Sequence, residues 1–571
     1  MALLPRLERL LPFLGWHRQW SAASWRGDTI AGVTVALVMI PQSLAYAQLA
    51  SLPTHVGLYA ALLPTIVAAL FGSCGQLSTG PAALTALLSG ASLLTIAPAE
   101  TPEFLSLAIL LALMSGLIQF ALGALRTGWL LNLLSHPVLT GFINAAALII
   151  GLSQVPSVLG LSMPQTTHFL VDFAQAVRNL HALHLPSALF GGGALLALIL
   201  AKRFFPKLPA VLIVVVVATA ISAATGYAEH GGKVVGTIPA GLPVPGVPEV
   251  DWSAAVALLP AAFVIALVSF MEAASSAKLI SGRTGNHWNQ NQELIGQGLA
   301  KIASAASGAF PVSASFSRSG LNYATGAKTG MSALVAAGVV VVTLLYLTPL
   351  LRHLPRPVLG AIILLVVASL PDFHALIRAW RIGRDDGLAS TLTFVSTLVF
   401  APNIQNGILT GLLLSLALML YRDMRPRTAL LGLHPDGTYR DLARFGLDHP
   451  DPRVVILRFD SPLTFVTAAA FERAVIAATE AQPHVSAVLV SASGINTIDA
   501  TGMHTVSALL DRFRGMNVTL AFCGAKKQVL DVMQRTEAWS RIGPHATYRT
   551  ERHALEALLA AMEAQAATAK D

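Results

Sequence analysis

Apolar stretches separated by short polar loops recur along the first 421 residues, and fourteen of them can be placed. A helix needs about 20 mostly apolar residues to cross the hydrocarbon of a bilayer. The first seven stretches are 31–50, 57–72, 81–96, 104–124, 137–156, 187–204 and 209–226. The second seven are 256–276, 293–309, 317–329, 331–350, 357–370, 388–401 and 405–421. The third and tenth are too short and too polar to span. One follows Gly72-Ser73-Cys74-Gly75-Gln76-Leu77-Ser78-Thr79-Gly80-Pro81, the other Pro311-Val312-Ser313-Ala314-Ser315-Phe316-Ser317-Arg318. Interrupted segments at matching places in two halves point to an inverted repeat with a binding site near the midplane. An odd number in each half turns the halves in opposite senses, so seven plus seven is an inverted repeat by parity.

Beyond Tyr421 the pattern changes to alternating strands and helices. Strands are expected at 454–459, 485–490 and 518–523, and helices at 465–478, 501–513, 528–535 and about 552–564. That alternation predicts a small α/β domain with its sheet partly covered by helices. The chain therefore divides into an N-terminal segment (1–30), a membrane domain (31–421), a linker (422–440), an α/β domain (441–565) and a tail (566–571).

Composition agrees. Of 571 residues, 54% are hydrophobic and 12% charged, and the mean hydropathy is +0.65. A soluble globular chain carries about 25% charged residues, so an ordinary soluble enzyme is excluded, and so is disorder. Of the 29 carboxylates, sixteen fall in 421–571 and eleven in 31–420, which marks the same boundary. Cys74 and Cys523 lie far apart and suggest neither a disulfide framework nor a metal site. The net charge of +8 comes from Lys and Arg in short loops between apolar stretches, and no nucleic-acid partner is expected.

Loop charge sets the orientation. With the N-terminus inside, inner loops hold Arg126, Lys202, Arg203, Lys207, Lys278, Arg283, Lys328, Arg378, Arg381 and Arg384; outer loops hold Arg178, Lys233, Arg352 and Arg356. Ten against four obeys the positive-inside rule and puts the N-terminus and the α/β tail in the cytoplasm. Residues 1–30, with Arg6, Arg9, Arg18, Arg26, Trp16, Trp20 and Trp25, read as a cytoplasmic segment lying at the interface rather than a signal peptide.

Candidate chemistry centres on the two broken segments. The first N–H groups of a helix lack internal acceptors and carry the positive end of its dipole, so two such ends facing each other make a site for a small anion. Ser78, Thr79, Ser315, Ser317 and Ser319 add hydroxyls. Arg318 offers a two-pronged donor suited to an oxyanion; the alternative is an arginine reaching out to the interface. Glu272 is the carboxylate placed well inside an apolar stretch, where burial favours its protonated form, so it can load and release a proton. It could instead help bind Na⁺ or pair with Arg318 or Lys301. No phosphate loop, zinc spacing or other enzyme constellation is present, and no cofactor or metal is expected.

These residues resemble the sulfate permease (SulP) family of anion transporters over nearly the whole chain. Ala31-Gly32-Val33-Thr34-Val35-Ala36 with Ile40-Pro41-Gln42-Ser43-Leu44-Ala45-Tyr46-Ala47 is similar to its first-span signature. Gly57-Leu58-Tyr59, Ser78-Thr79-Gly80-Pro81, Asn291-Gln292-Glu293-Leu294-Ile295 and Phe316-Ser317-Arg318-Ser319 with Asn322 match further motifs. Asn496-Thr497-Ile498-Asp499-Ala500-Thr501-Gly502-Met503 resembles a STAS domain, with Ala500 where phosphorylated relatives place serine, which leaves Thr501 as the nearby hydroxyl.

The resemblance implies fourteen spans in a seven-plus-seven inverted repeat split into core and gate. It implies an anion held by Gln42 and Tyr46, Pro81 and Ala82, and Ser317 and Arg318, with Glu272 as the coupling acid and a homodimeric assembly. The expected function is sulfate:proton symport across the cell (inner or plasma) membrane by elevator-like movement. Na⁺-coupled bicarbonate or proton-coupled dicarboxylate transport is the alternative, with an anion channel, an exchanger or a signalling receptor behind it.

Overall fold

The computed structural model describes residues 11–568 apart from 100, 130–134, 162–168, 206–208, 240, 247–250, 286–287 and 481. Arg6, Arg9, Lys207 and the last three residues of the tail thus lie outside the described residues. The chain divides into a helical unit, Met1–Ser415, and a second unit, Leu416–Asp571.

The helical unit opens with α1 (Ala22–Leu49), α2 (Thr54–Phe71, with a turn at 61–62), strand β1 (Thr79–Gly80), the short α3 (Ala83–Leu93) and α4 (Pro102–Ala124). Next come α5 (His136–Leu159), α6 (Phe169–Arg178), α7 (Leu185–Phe204), α8 (Ala210–Ala224), α9 (Trp252–Thr284) and α10 (Gln290–Ala306). Strand β2 (Ser313–Ala314), the short α11 (Phe316–Ala324), α12 (Met331–Leu351), α13 (Arg356–Val367), α14 (Phe373–Ile382), α15 (Arg384–Phe400) and α16 (Ile404–Asp423) complete the series. Among the described residues, eight helices are long and apolar enough to cross a bilayer. At 1.5 Å per residue, α3 and α11 are only about 16 Å and 14 Å long, roughly half of a ~30 Å hydrocarbon layer.

The first helix starts at Ala22, inside the segment assigned to 1–30. Ser21 and Ser24 cap it reciprocally, the Ser24 N–H donating to Ser21 Oγ (3.1 Å) and the Ser21 N–H to Ser24 Oγ (2.8 Å). Hydropathy misses these turns because Arg26 and Asp28 interrupt the apolar run. Asp28 is 2% exposed and accepts the Lys328 N–H (2.6 Å), the Thr329 N–H (3.1 Å) and the Thr329 hydroxyl (2.7 Å). It fastens α1 to the start of α12. Helices α6 and α14 lie in segments read as loops; α14 is amphipathic, so hydropathy alone passes over it.

Packing follows a reciprocal scheme. α4 packs on α10 and α2 on α12; α1 packs on α12 and α4 on α9; α3 packs on α9 and α1 on α11. Each pair becomes the other when the helices of the first four stretches exchange with those of stretches eight to eleven. The same holds for α5 on α15 and α7 on α13. Glycines allow the closest approaches. A Cβ on Gly298 of α10 would meet the Phe120 backbone nitrogen of α4 at 2.5 Å, and one on Gly116 would meet Gly298 O at 2.9 Å. Gly298→Val should therefore cost more than the ~3 kcal/mol upper range of ordinary overpacking, since backbone cannot move aside. The expected result is loss of the monodisperse species in detergent gel filtration; a well-behaved, active variant would show this contact to be soft.

The second unit has a five-stranded sheet in the order β4-β3-β5-β6-β7, formed by β3 (Thr428–Leu433), β4 (Tyr439–Asp441), β5 (Val454–Phe459), β6 (Ala487–Ser491) and β7 (Thr519–Cys523). β5, β6 and β7 run parallel, while β3 is antiparallel to both neighbours. Alternate residues of β5 divide between two cores. Val455, Leu457 and Phe459 pack with α17 (Ala468–Thr479), α18 (Ala500–Met516), α19 (Lys527–Met533) and α20 (Trp539–Ala546), whereas Val454 and Ile456 pack beneath α21 (Glu551–Thr568).

The stretch 422–440 read as a linker is largely not one. α16 runs to Asp423, and 428–441 is a hairpin of the sheet whose turn has Gly437 at φ +83° and Asp436 accepting the Thr438 N–H (2.9 Å). Its strands are short, one holds Gly432, and the edge strand is Tyr-Arg-Asp, so no apolar alternation announces them. Asp499 caps α18 by accepting the Gly502 N–H (2.8 Å) and reaches across to the Phe465 N–H (2.9 Å). Burial pushes the Cys523 thiol up to about 12, which makes it a packing residue.

Candidate functional site

β1 passes through Pro81 and Ala82 into α3, and β2 through Ser315 into α11. The two strands pair antiparallel, Thr79 opposite Ala314 and Gly80 opposite Ser313. The Ser315 N–H donates to Ser78 O at 3.0 Å and the Ser78 N–H to Ser319 Oγ at 2.9 Å. Because antiparallel chains leave a ladder in opposite directions, the N-terminal ends of α3 and α11 meet across it. α3 has no side-chain cap, so its first amides keep their donors unspent. α11 is capped by Ser315, whose Oγ accepts the Arg318 N–H at 3.5 Å.

Arg318 lies between these ends. It is 1% exposed, so it does not reach an interface. Its Nε donates to Ser78 Oγ (3.4 Å) and its Nη1 to Gln42 Oε1 (3.3 Å). Nη2 is buried and has no acceptor among the described residues. A Cβ on Gly80 would stand 3.6 Å from this nitrogen, so a longer side chain there would fill the space before it. Gln42 follows Pro41, which removes a backbone donor from the middle of α1.

Tyr46 is one turn on, 2% exposed and within electrostatic range of Arg318 and Glu272. Pro81 and Ala82 are buried in the approach to α3, whereas Ser317 is exposed beside Phe316, which is 55% exposed. The first turn of α11 is thus the open side of the cluster.

Glu272 of α9 accepts the Ser313 hydroxyl at 2.8 Å. That bond ties it to the strand leading into α11. Its partner among the described residues is a hydroxyl rather than Arg318 or Lys301. Lys301, fully buried on α10, donates to Gln119 Oε1 at 2.6 Å.

Glu293 does more than open an apolar stretch. It is 1% exposed and accepts the Ser73 N–H (2.8 Å), the Ser73 hydroxyl (3.1 Å), the Cys74 N–H (3.1 Å) and Gln297 Nε2 (3.0 Å). Gln297 Nε2 also reaches Thr79 Oγ1 at 2.9 Å, and Thr79 O accepts the Thr65 hydroxyl at 2.8 Å. Glu293 therefore positions the run-in to β1. A signal was available: Glu293, Gln297 and Lys301 recur every four residues, a polar stripe on one helix face. A cavity of about 970 Å³ lies elsewhere, at the C-terminal end of α3, lined by Gln48, Leu87, Thr95, Gln154 and Asn403 among others.

The profile of the sulfate permease family matches residues 25–393. The chain belongs to the sulfate permease family. A STAS domain profile matches residues 449–554 of this family member. Sulfate transporter 4.1, chloroplastic, of Arabidopsis thaliana is 32% identical over 550 residues, covering 93% of this chain and 79% of the relative. Probable sulfate transporter MT1781 of Mycobacterium tuberculosis is 30% identical over 550 residues, covering 96% and 97%.

Among solved structures, SLC26A9 superposes with a TM-score of 0.91 at 23% identity over 99% of this chain and 95% of that one. The transmembrane domain of the cyanobacterial bicarbonate transporter BicA gives 0.58 at 23% identity over 69% and 98%. At such identities the likeness is one of fold: a multi-pass helical membrane protein of the sulfate permease family with a C-terminal STAS domain.

Proposed function

We propose that this permease-family chain is a secondary transporter of a small oxyanion, with sulfate as cargo and protons as the coupling ion. The observation that carries the reading is the buried, unpaired Arg318 Nη2 at the junction of two half-length helices whose N-terminal ends meet across the β1–β2 ladder. Those ends and the guanidinium supply positive potential and hydrogen-bond donors where a dianion would otherwise be costly. Gln42 and Tyr46 from α1, Pro81 and Ala82 before α3, and Ser317 with Arg318 form the cradle. Glu272 holds the proton. The names of the similar proteins, sulfate transporters from a plant and a bacterium, favour sulfate. The reciprocal helix packing supports fourteen spans in a seven-plus-seven inverted repeat. Loop charge supports a cytoplasmic N-terminus and STAS domain.

Alternating access follows if α1–α4 and α9–α12, which carry the site, move as a group against α5–α8 and α13–α16. The test is uptake into proteoliposomes of labelled sulfate, bicarbonate and succinate under separate proton and Na⁺ gradients. Sulfate accumulation driven by an inward proton gradient is expected. Accumulation of bicarbonate that follows Na⁺ and ignores pH would overturn both cargo and coupling.

A further inference from the structure

Gly80 is a glycine that neither the backbone nor the packing requires. Its φ lies outside the left-handed region that favours glycine. A Cβ built on it overlaps nothing: beyond the adjoining residues, its three nearest atoms are Arg318 Nη2 and Met39 Sδ at 3.6 Å and Thr65 Oγ1 at 3.7 Å. Gly298 and Gly116 differ, because there a Cβ meets backbone at 2.5 and 2.9 Å. Glycine inside a strand weakens it and offers no side chain to pack. What the residue does provide is room for one atom, about the size of a methyl group, in the interior of the helical unit.

Four elements wall this room: Met39 of α1, Thr65 of α2, Gly80 of β1 and Arg318 of α11, all of them buried. The Thr65 hydroxyl has one proton, and it is directed to Ala61 O and Thr79 O, each at 2.8 Å. Met39 brings a thioether, which has no proton to give. The donor here is therefore Arg318 Nη2, which has no acceptor among the described residues. Its neighbours Nε and Nη1 are held by Ser78 and Gln42, so the guanidinium is fixed with this one nitrogen turned to the room. The size and the single charged donor together fit one oxygen atom.

We propose that Gly80 keeps open a one-atom pocket for cargo, in which a single oxygen of a polyatomic oxyanion accepts from Arg318 Nη2 while the other oxygens face the N-terminal ends of α3 and α11. Met39 and Thr65 then join the site as walls of that pocket. The pocket fixes how the anion is turned, with one oxygen inward and the rest towards the helix ends. An alanine at this position puts its methyl group where the inward oxygen sits. It leaves the guanidinium and its two anchoring bonds in place, and removes one charge-assisted hydrogen bond from the anion.

This inference deepens the oxyanion reading above and rests on it. The experiment is equilibrium binding of labelled sulfate to the purified full chain as wild type, Gly80→Ala, Arg318→Lys and the double variant, with thermal unfolding of each. Alanine for glycine at a compatible backbone position restricts the unfolded chain and does not destabilise the fold. Gly80→Ala should therefore keep or raise the unfolding midpoint and yet weaken sulfate binding by about 10- to 100-fold, the worth of one hydrogen bond to a charged group. In the Arg318→Lys background, where Nη2 is gone, the same methyl group should cost about threefold at most. Wild-type affinity in Gly80→Ala overturns the proposal, since the room then serves a water molecule at most. An equal loss in both backgrounds, or a Gly80→Ala chain that no longer folds, overturns it by showing that the glycine serves β1 itself. A wild type that binds no sulfate overturns the cargo reading, and this pocket with it.

Discussion

Arg318→Ala is expected to weaken sulfate binding by about 30-fold to several hundredfold, equivalent to the roughly 2–4 kcal/mol that a buried, charge-assisted pair of hydrogen bonds contributes. The guanidinium is 1% exposed with Nη2 unpaired, while Nε and Nη1 are held by Ser78 and Gln42. The side chain is thus oriented by protein and still has a donor to give. Alanine removes the charge, the fork and two contacts that join α11 to Ser78, just before β1, and to Gln42 of α1. Arg318→Lys separates these roles, because it keeps the charge but lacks the planar fork, and its affinity should fall between the two. Equilibrium binding of labelled sulfate to purified protein is the measurement, with gel filtration to show that the fold persists. Wild-type affinity in folded Arg318→Ala would remove the guanidinium from the site.

Glu272→Gln should abolish accumulation driven by a proton gradient while sulfate:sulfate exchange continues. Protonating Glu272 removes a negative charge from the neighbourhood of the anion, so proton and anion bind with positive coupling, typically about 1–3 kcal/mol. Glutamine imitates the protonated form: it is neutral, and its carbonyl oxygen can still accept the Ser313 hydroxyl that now reaches Glu272 at 2.8 Å. The variant should therefore bind sulfate at least as well as wild type, with an affinity that no longer rises as pH falls. Downhill exchange needs no net proton movement and should survive. Proton-driven accumulation at wild-type levels in Glu272→Gln would take this carboxylate out of the coupling.

The broken segments were legible because glycine, proline and serine in Gly72–Pro81 and Pro311–Ser315 interrupt the helical pattern, and the structure shows non-helical backbone in both places. The family was legible from the motifs around Gln42, Glu293 and Arg318. The β1–β2 ladder was not, since two-residue strands are too short for any alternation. Asp28 falls before the first apolar stretch and draws no notice in the sequence, and Glu293 stands only at the opening of one. Their importance arises from amides brought to them by residues some 220 to 300 positions away. In the second unit, β5, β6 and β7 announce themselves as short apolar runs buried on both faces. The β3–β4 hairpin hides because Gly432 interrupts β3 and β4 is only Tyr-Arg-Asp, and α20 because it is short and contains Gly543 and Pro544.

The ladder between Thr79–Gly80 and Ser313–Ala314 is made of main-chain groups, with a consequence for how cargo changes sides. Jaws that part to release a solute would have to tear these bonds at a depth where no water replaces them. Under the alternating access proposed above, the receptacle would be carried whole, like a sealed compartment, with the walls around it doing the opening. The ladder has only two rungs, and proline, which has no N–H to lend, would unfasten it.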